Sequence, residues 1–237
     1  MSLQILQTDS DIRKARSEMR ARGLDFTNCW LTGILRKYGI MQGINIGDFK
    51  KSWDVLKSVD FIRDQLVLTD PVLDIGAYRS EMLPILNRLG FSSLTGIDLN
   101  DDIGSMPYNR TINYLAADCY RTPFGNESFA AVTAISVIEH GFNSKQLLAE
   151  LGRIIRNGGY FIASLDYWPE KIDTAGISAY GMDWKIFSKD DVVEFIDDAE
   201  KVGLQPVGDL SFDAEKPLVS WMGKNFTFAW LVLRKCS

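Results

Sequence analysis

The chain has 237 residues, 46% of them hydrophobic, with a formal net charge of -5 and a single histidine, enough for one good core with an appendage. The acidic balance argues against a broad nucleic-acid surface and favours small-molecule partners. Cys29, Cys119 and Cys236 lie apart without metal-ligand spacing, the N-terminus lacks an apolar signal core, and no apolar run is long enough to span a membrane, so the expectation is reduced thiols in a cytoplasmic setting, with neither disulfides nor membrane insertion.

In chain order, Ser10 to Arg22 is charged and helix-prone, with Gly23 as its stop. Asn28 to Tyr38 and Ser52 to Leu66 read as two further helices around a loop from Gly39 to Asp48, the second placing Trp53, Leu56, Val59, Ile62 and Leu66 on roughly one face. Trp53 is read as a core anchor, or alternatively as one wall of a ligand pocket. Residues 1–68 are thus expected to form a helical N-terminal cap, followed by an α/β domain over 69–237.

From Asp70 the pattern alternates strand and helix, which implies a parallel sheet covered on both faces. Val72, Leu73 and Ile75 form a buried strand interrupted by Asp74 and ended by Gly76. An acid there is costly to bury unless a neighbour donates hydrogen bonds to it. Ser80 is a plausible cap for the helix carrying Met82, Leu83, Leu86 and Leu89, which Gly90 ends. The next strand, Leu94 to Leu99, places the acid Asp98 at its tip, roughly 20 residues beyond the glycine turn, where a carboxylate can accept both ribose hydroxyls. A third strand over Ile112 to Ala116 leads to Asp118, suited to an exocyclic amine, and a fourth from Phe129 to Val137 runs into Glu139 and His140.

A helix from Ser144 to Arg156 ends at Asn157-Gly158-Gly159, and a fifth strand, Tyr160 to Leu165, leads to Asp166, Tyr167 and Trp168 as a candidate substrate wall. Thr174 to Lys185 lacks periodicity and suits a lid; Ser188 caps the next helix, and strands over about Gln205 to Phe212 and Asn225 to Arg234 should pair antiparallel, the loop between them being too short for a crossover helix.

Val72-Leu73-Asp74-Ile75-Gly76-Ala77, Gly96-Ile97-Asp98-Leu99, Ala117-Asp118, Phe129 to His140 and Leu151 to Gly159 resemble, in order, the motifs of class I S-adenosylmethionine-dependent methyltransferases, most closely the small-molecule branch labelled type 11. The resemblance covers about 70 to 235 and implies a Rossmann-like, mostly parallel seven-stranded sheet with an antiparallel last strand and S-adenosyl-L-methionine as cofactor. It implies that Asp74 with the backbone of Gly76 and Ala77 faces the methionine part, Asp98 and Leu99 the ribose and adenine, and Asp118 with Cys119 the adenine. Ser136 would lend its carbonyl to the cofactor's amino group. Where the family has Gly-x-Gly-x-Gly this chain has Gly76, Tyr78 and Ser80, so Tyr78 is expected to fill part of the methionine pocket and Glu81 to reach the amino group.

A sulfonium already activates its methyl group, so positioning supplies most of the rate, and a base helps when the acceptor is a hydroxyl. His140 is the first candidate, as base or substrate orienter; Glu139, Asp166 and Tyr167 are weaker ones. The expected acceptor is a hydroxyl-bearing small molecule or carbohydrate. One histidine and dispersed carboxylates give no ligand cluster, so no metal is assigned. Two alternatives stand beside this reading: a noncatalytic relative that binds the cofactor or a partner protein, and a nicotinamide-dependent oxidoreductase, which the missing second glycine disfavours.

Overall fold

A computed structural model describes residues 1–27, 44–141 and 143–236. The helix expected over Asn28 to Tyr38, with Cys29, lies outside the described residues. The elements in chain order are β1 (Leu3–Ile5), α1 (Asp9–Ala21), α2 (Ser52–Gln65), β2 (Val72–Ile75), α3 (Met82–Arg88), β3 (Leu94–Asp98), β4 (Asn113–Ala116), β5 (Phe129–Ile135), α4 (Ser144–Ile154), β6 (Ile155–Tyr167), β7 (Ser178–Ala179), β8 (Met182–Asp183), α5 (Lys189–Glu200), β9 (Leu204–Pro206), β10 (Val219–Trp221) and β11 (Lys224–Lys235).

The main sheet runs β1-β11-β6-β5-β2-β3-β4, with β9 and β10 also pairing β11. Strands β4, β3, β2, β5 and β6 are parallel neighbours, and β11 lies antiparallel to β6 from Thr227↔Tyr167 to Arg234↔Tyr160. This is the Rossmann-like α/β sheet expected, with the antiparallel terminal strand in its expected place. Helices cover both faces, as parallel strands buried on two sides require. Leu147, Leu151 and Ile154 of α4 and Phe195, Ile196 and Ala199 of α5 close one core cluster, while Val55, Val59 and Ile62 of α2 and Leu83 and Leu86 of α3 close the other.

Four expectations need correction. The N-terminal region is not purely helical, because Leu3–Ile5 pairs with Ala229–Leu231 of β11 and so extends the sheet. Strand β5 stops at Ile135, since Ser136 has a φ of 54° that no strand accommodates. Helix α4 ends at Ile154 instead of Arg156, and the Asn157-Gly158 turn forms an irregularity inside a longer β6. The segment over Gln205 to Phe212 is strand only at Leu204–Pro206, although it does pair antiparallel with β11 as expected.

Capping explains the helix starts. Thr8 and Asp11 form a capping box at α1, and Ser188 and Asp191 form another at α5. The expected lid contains the β7–β8 hairpin, whose flank is tied to the segment after β5: the Gly141 N–H donates to the Asp183 carbonyl and the Lys185 N–H to the Glu139 carbonyl, both at 2.8 Å. Trp53 is half-buried and packs against core clusters, so it acts as the core anchor. No helix among the described residues is long and apolar enough to cross a membrane.

Candidate functional site

The turn after β2 is built around Asp74, which is buried. Thr133 Oγ1, its register partner on β5, donates to Asp74 Oδ1 at 2.6 Å, and Ser80 Oγ donates to Oδ2 at 2.8 Å. Ser80 Oγ also accepts the Met82 N–H at the start of α3. The hydroxyl standing where the family has a glycine therefore ties the strand acid to the helix. Burial pushes the Asp74 carboxyl up to about 7, opposed by those two hydrogen bonds. Both Asp74 oxygens thus have protein donors, and its effect on a ligand runs through the shape of the turn.

Gly76 begins that turn at φ +74°, and a Cβ there would lie 2.3 Å from Val137 Cγ2, so glycine is required for both conformation and space. The N–H groups of Gly76 and Ala77 both donate to the Ile97 carbonyl, at 2.9 and 3.0 Å. The following N–H, of half-buried Tyr78, donates to Asp98 Oδ2 at 3.1 Å, while Asn100 N–H donates to Oδ1 at 2.9 Å. Each Asp98 oxygen then retains capacity for a further donor, and the side chain remains partly exposed. Next to it, Leu99 is 65% exposed at the tip of β3, an apolar side chain left uncovered.

Asp118 is exposed at the end of β4 and accepts the Tyr120 N–H at 2.8 Å. Burial, reinforced by the Asp118 charge, pushes the Cys119 thiol up to about 11, so it stays protonated. The Tyr120 hydroxyl donates to the Gly141 carbonyl at 2.7 Å and accepts the Asn143 N–H at 3.1 Å, binding this edge to the loop after β5. Ser136 stands in that loop with its left-handed backbone, and its Oγ is buried without a partner.

Glu81 is a correction. Its carboxylate is taken at 2.6 and 2.9 Å by the buried Arg16 guanidinium, so it is not available for a cofactor's amino group. Tyr78 packs against the core cluster containing α2 and α3.

The carboxyl ends of β5 and β6 hold a second group. Glu139 and Asp166 are both buried there, and Asp166 Oδ2 accepts the Trp184 Nε1 proton at 2.8 Å. Lys51, from the turn before α2, brings Nζ to 3.8 Å from Asp166 Oδ1 and 3.2 Å from the centre of the Phe228 ring. Asp54 of α2 is fully buried beside Lys51. Burial, then the Asp166 charge, pushes Glu139 up to about 8; burial also raises Asp166, with Lys51 and Trp184 opposing. These two carboxyls titrate as a pair that favours holding one proton. Burial and Lys51 together push His140 down to about 4, which keeps its imidazole neutral, and its Nδ1 is buried without a partner.

The structure thus brings His140, Glu139 and Asp166 into one neighbourhood, separate from the Asp74, Gly76, Asp98 turn but along the same sheet edge. Sequence reasoning missed Thr133, Lys51, Asp54 and Trp184. Thr133 had a signal: it is the one polar residue inside the apolar β5 run, facing Asp74 across one strand spacing. Among the described residues no group of three or more His, Cys, Asp or Glu side chains could hold a metal ion.

With the strand order, the left-handed glycine after the first parallel strand and the acid at the tip of the next in place, residues 73–163 match the family model described as a methyltransferase domain. Over those residues the chain is similar to the methyltransferase-domain family, and its sheet has the Rossmann-like fold of S-adenosylmethionine-dependent methyltransferases. The domain is 28% identical over 116 residues to the mitochondrial ubiquinone biosynthesis O-methyltransferase of Dictyostelium discoideum, covering 40% of this chain and 35% of that one. The chain matches under half the length of its curated relatives. In fold it is similar to geranyl diphosphate C-methyltransferase from Streptomyces coelicolor, solved with Mg²⁺, geranyl diphosphate and S-adenosyl-L-homocysteine, at TM-score 0.59 and 14% identity over 80% of this chain and 84% of that one. It is likewise similar to the [4+2]-cyclase SpnF, at TM-score 0.56 and 12% identity over 99% of this chain and 98% of that one.

Proposed function

We propose that this protein binds S-adenosyl-L-methionine at the β2 and β3 tips and moves its methyl group to a hydroxyl oxygen of a small molecule or carbohydrate. The observation that carries the reading is the Asp98 carboxylate, fixed by the Tyr78 and Asn100 N–H groups with capacity left on both oxygens. Exposed Leu99 beside it suits the face of an adenine, and Asp118 suits the adenine's amine. Two ribose hydroxyls donating to Asp98 are charge-assisted hydrogen bonds, each stronger than a neutral pair.

When bound, the cofactor supplies a methyl group already activated on a sulfonium. The chain's own part is to hold the acceptor oxygen in line and manage one proton. Neutral His140 with its free Nδ1 is suited to accept a hydrogen bond from the acceptor hydroxyl and so orient it. At a pKa near 4 it is a weak base, so the Glu139 and Asp166 pair is the better final holder of the proton released as the oxygen–carbon bond forms.

The second reading is cofactor binding without methyl transfer, since the fold it shares with a [4+2]-cyclase does not by itself fix the reaction. The test is calorimetric titration with S-adenosylmethionine, S-adenosylhomocysteine and NAD, followed by an S-adenosylhomocysteine release assay over sugars, phenols and amines. Binding of the first two with release on a hydroxyl acceptor supports the proposal. Binding without release on any acceptor supports the second reading, and binding of NAD alone would overturn both.

A further inference from the structure

Six buried side-chain atoms among the described residues have no hydrogen-bond partner: Lys51 Nζ, Asp54 Oδ2, Ser136 Oγ, Glu139 Oε2, His140 Nδ1 and Ser164 Oγ. They are not scattered. Lys51 Nζ lies 3.8 Å from Asp166 Oδ1 and its charge also acts on Asp54, Glu139 and His140; Ser164 of β6 is set against Asp54, and Ser136, just past the end of β5, against Glu139, the two serines being joined by the Ser136 N–H donating to the Ser164 carbonyl at 3.0 Å. Leaving one buried polar group unsatisfied costs about 1 to 3 kcal/mol. A concentration of them in one place marks a site whose partner comes from outside the chain.

The mix of atoms identifies that partner's chemistry. Lys51 Nζ is a pure donor, Asp54 Oδ2 when ionised a pure acceptor, and the serine hydroxyls are both. A second cation would lie against Lys51, and an anion would lie against three carboxyl groups. A hydroxyl both donates and accepts, so a group bearing several of them can satisfy the whole set without adding charge. Burial raises Asp54 to about 6 and Glu139 to about 8, which lowers the negative charge facing such a ligand. Beside the polar group stands an aromatic wall. Tyr180, 82% exposed, stacks on Trp221 with ring centres 6.4 Å apart and meets the His140 ring edge-on at 5.3 Å; Trp221 in turn packs edge-on against Trp184.

We propose that Lys51 and Asp54, supplied by the N-terminal segment, complete with Glu139 and Asp166 an acceptor subsite for an uncharged, hydroxyl-rich ring such as a sugar or cyclic polyol. This deepens the methyl-transfer reading and rests on it for the fate of the ligand, but not for its binding. Lys51 is held in place from its neighbour: Ser52 Oγ accepts the Arg16 Nε proton at 2.8 Å, and the preceding Asp48 caps the turn through the Lys50 N–H. The N-terminal segment is therefore part of the acceptor site.

The experiment is ligand-observed NMR on the full chain with four probes, methyl β-D-glucopyranoside, myo-inositol, n-butylammonium and butyrate, run beside calorimetry with S-adenosylmethionine. The parent should bind at least one of the two polyols in preference to both charged probes. Lys51→Met and Asp54→Asn should each weaken polyol binding by roughly tenfold or more, the scale of a lost hydrogen bond to a charged group. S-adenosylmethionine affinity should stay within about twofold in both, because neither residue lies at the β2 and β3 tips. Preference for butylammonium or butyrate, failure of both polyols to bind the parent, or unchanged polyol binding in a folded Lys51→Met variant would each overturn the proposal. If polyols bind and S-adenosylmethionine does not, the subsite stands and the methyl-transfer reading falls. Should Lys51→Met not fold, the probe preference of the parent still decides.

Discussion

Arg16 and Glu81 form a bidentate pair, at 2.6 and 2.9 Å, inside the protein, with both side chains about 1% exposed. All five guanidinium protons are used: Nε goes to Ser52 Oγ, Nη1 to Asp25 and Glu81, and Nη2 to Glu81 and the Asp48 carbonyl. One side chain of α1 thereby fixes the start of α2 and the entry to α3. Removing one partner leaves an uncompensated buried charge, so Arg16→Met should cost about 3 to 5 kcal/mol of stability. Urea denaturation of Arg16→Met measures this, and a loss under about 1 kcal/mol, the scale of an exposed pair, would contradict it.

Asp74 gives the second prediction. Its carboxyl is raised from the ordinary 3.8 to about 7 in the fold. Between those values the native state binds a proton that the unfolded state has released, so its contribution to stability falls as pH rises through the window. Asp74→Asn cannot ionise and should flatten that part of the stability curve. Denaturation midpoints taken every half unit from pH 4 to 8 check it, and parallel curves for the two proteins would refute the assignment.

His140 carries the opposite sign. Its folded value is depressed from 6.5 to about 4, so its stabilising contribution is complete above the unfolded value and is lost as pH falls from 6.5 towards 4. In catalysis, the acid limb of kcat/KM attributable to His140 should fall near pH 4, not near the 6.5 of a solvated imidazole. His140→Ala should lower kcat by roughly 10², the low end of the acid-base range, because the imidazole orients the acceptor hydroxyl and is too weak a base to hold its proton. It should leave the melting temperature nearly unchanged at pH 8. A drop in melting temperature with normal turnover per folded molecule would make His140 structural.

The fold was legible because it rests on local signals. The apolar run Val72 to Ile75, the acid ending Leu94 to Asp98 and the amphipathic α4 each report their own burial. What escaped was nonlocal. Strand β1 is three residues long and exists because β11 offers it an edge, which no window around Leu3 to Ile5 reveals. Glu81 sat at a plausible distance from the glycine turn, but its partner lies 65 positions earlier in the chain. Nothing in the local window around Lys51 and Asp54 marks them; only the packing of α2 against the sheet buries Asp54 and brings Lys51 Nζ beside Asp166. The depressed value of His140 is nonlocal for the same reason, since burial and a lysine from far earlier in the chain both act on it.

The most direct test of the account is the affinity of Asp98→Ala for S-adenosylmethionine, measured by calorimetry beside the parent and Asp98→Asn. Losing two charge-assisted hydrogen bonds should weaken binding by about 1.5 to 3 kcal/mol, a factor of roughly 10 to 150, with Asp98→Asn intermediate. An Asp98→Ala variant that is folded and binds the cofactor as tightly as the parent would contradict the ribose assignment, and with it the claim that the β2 and β3 tips form the cofactor site.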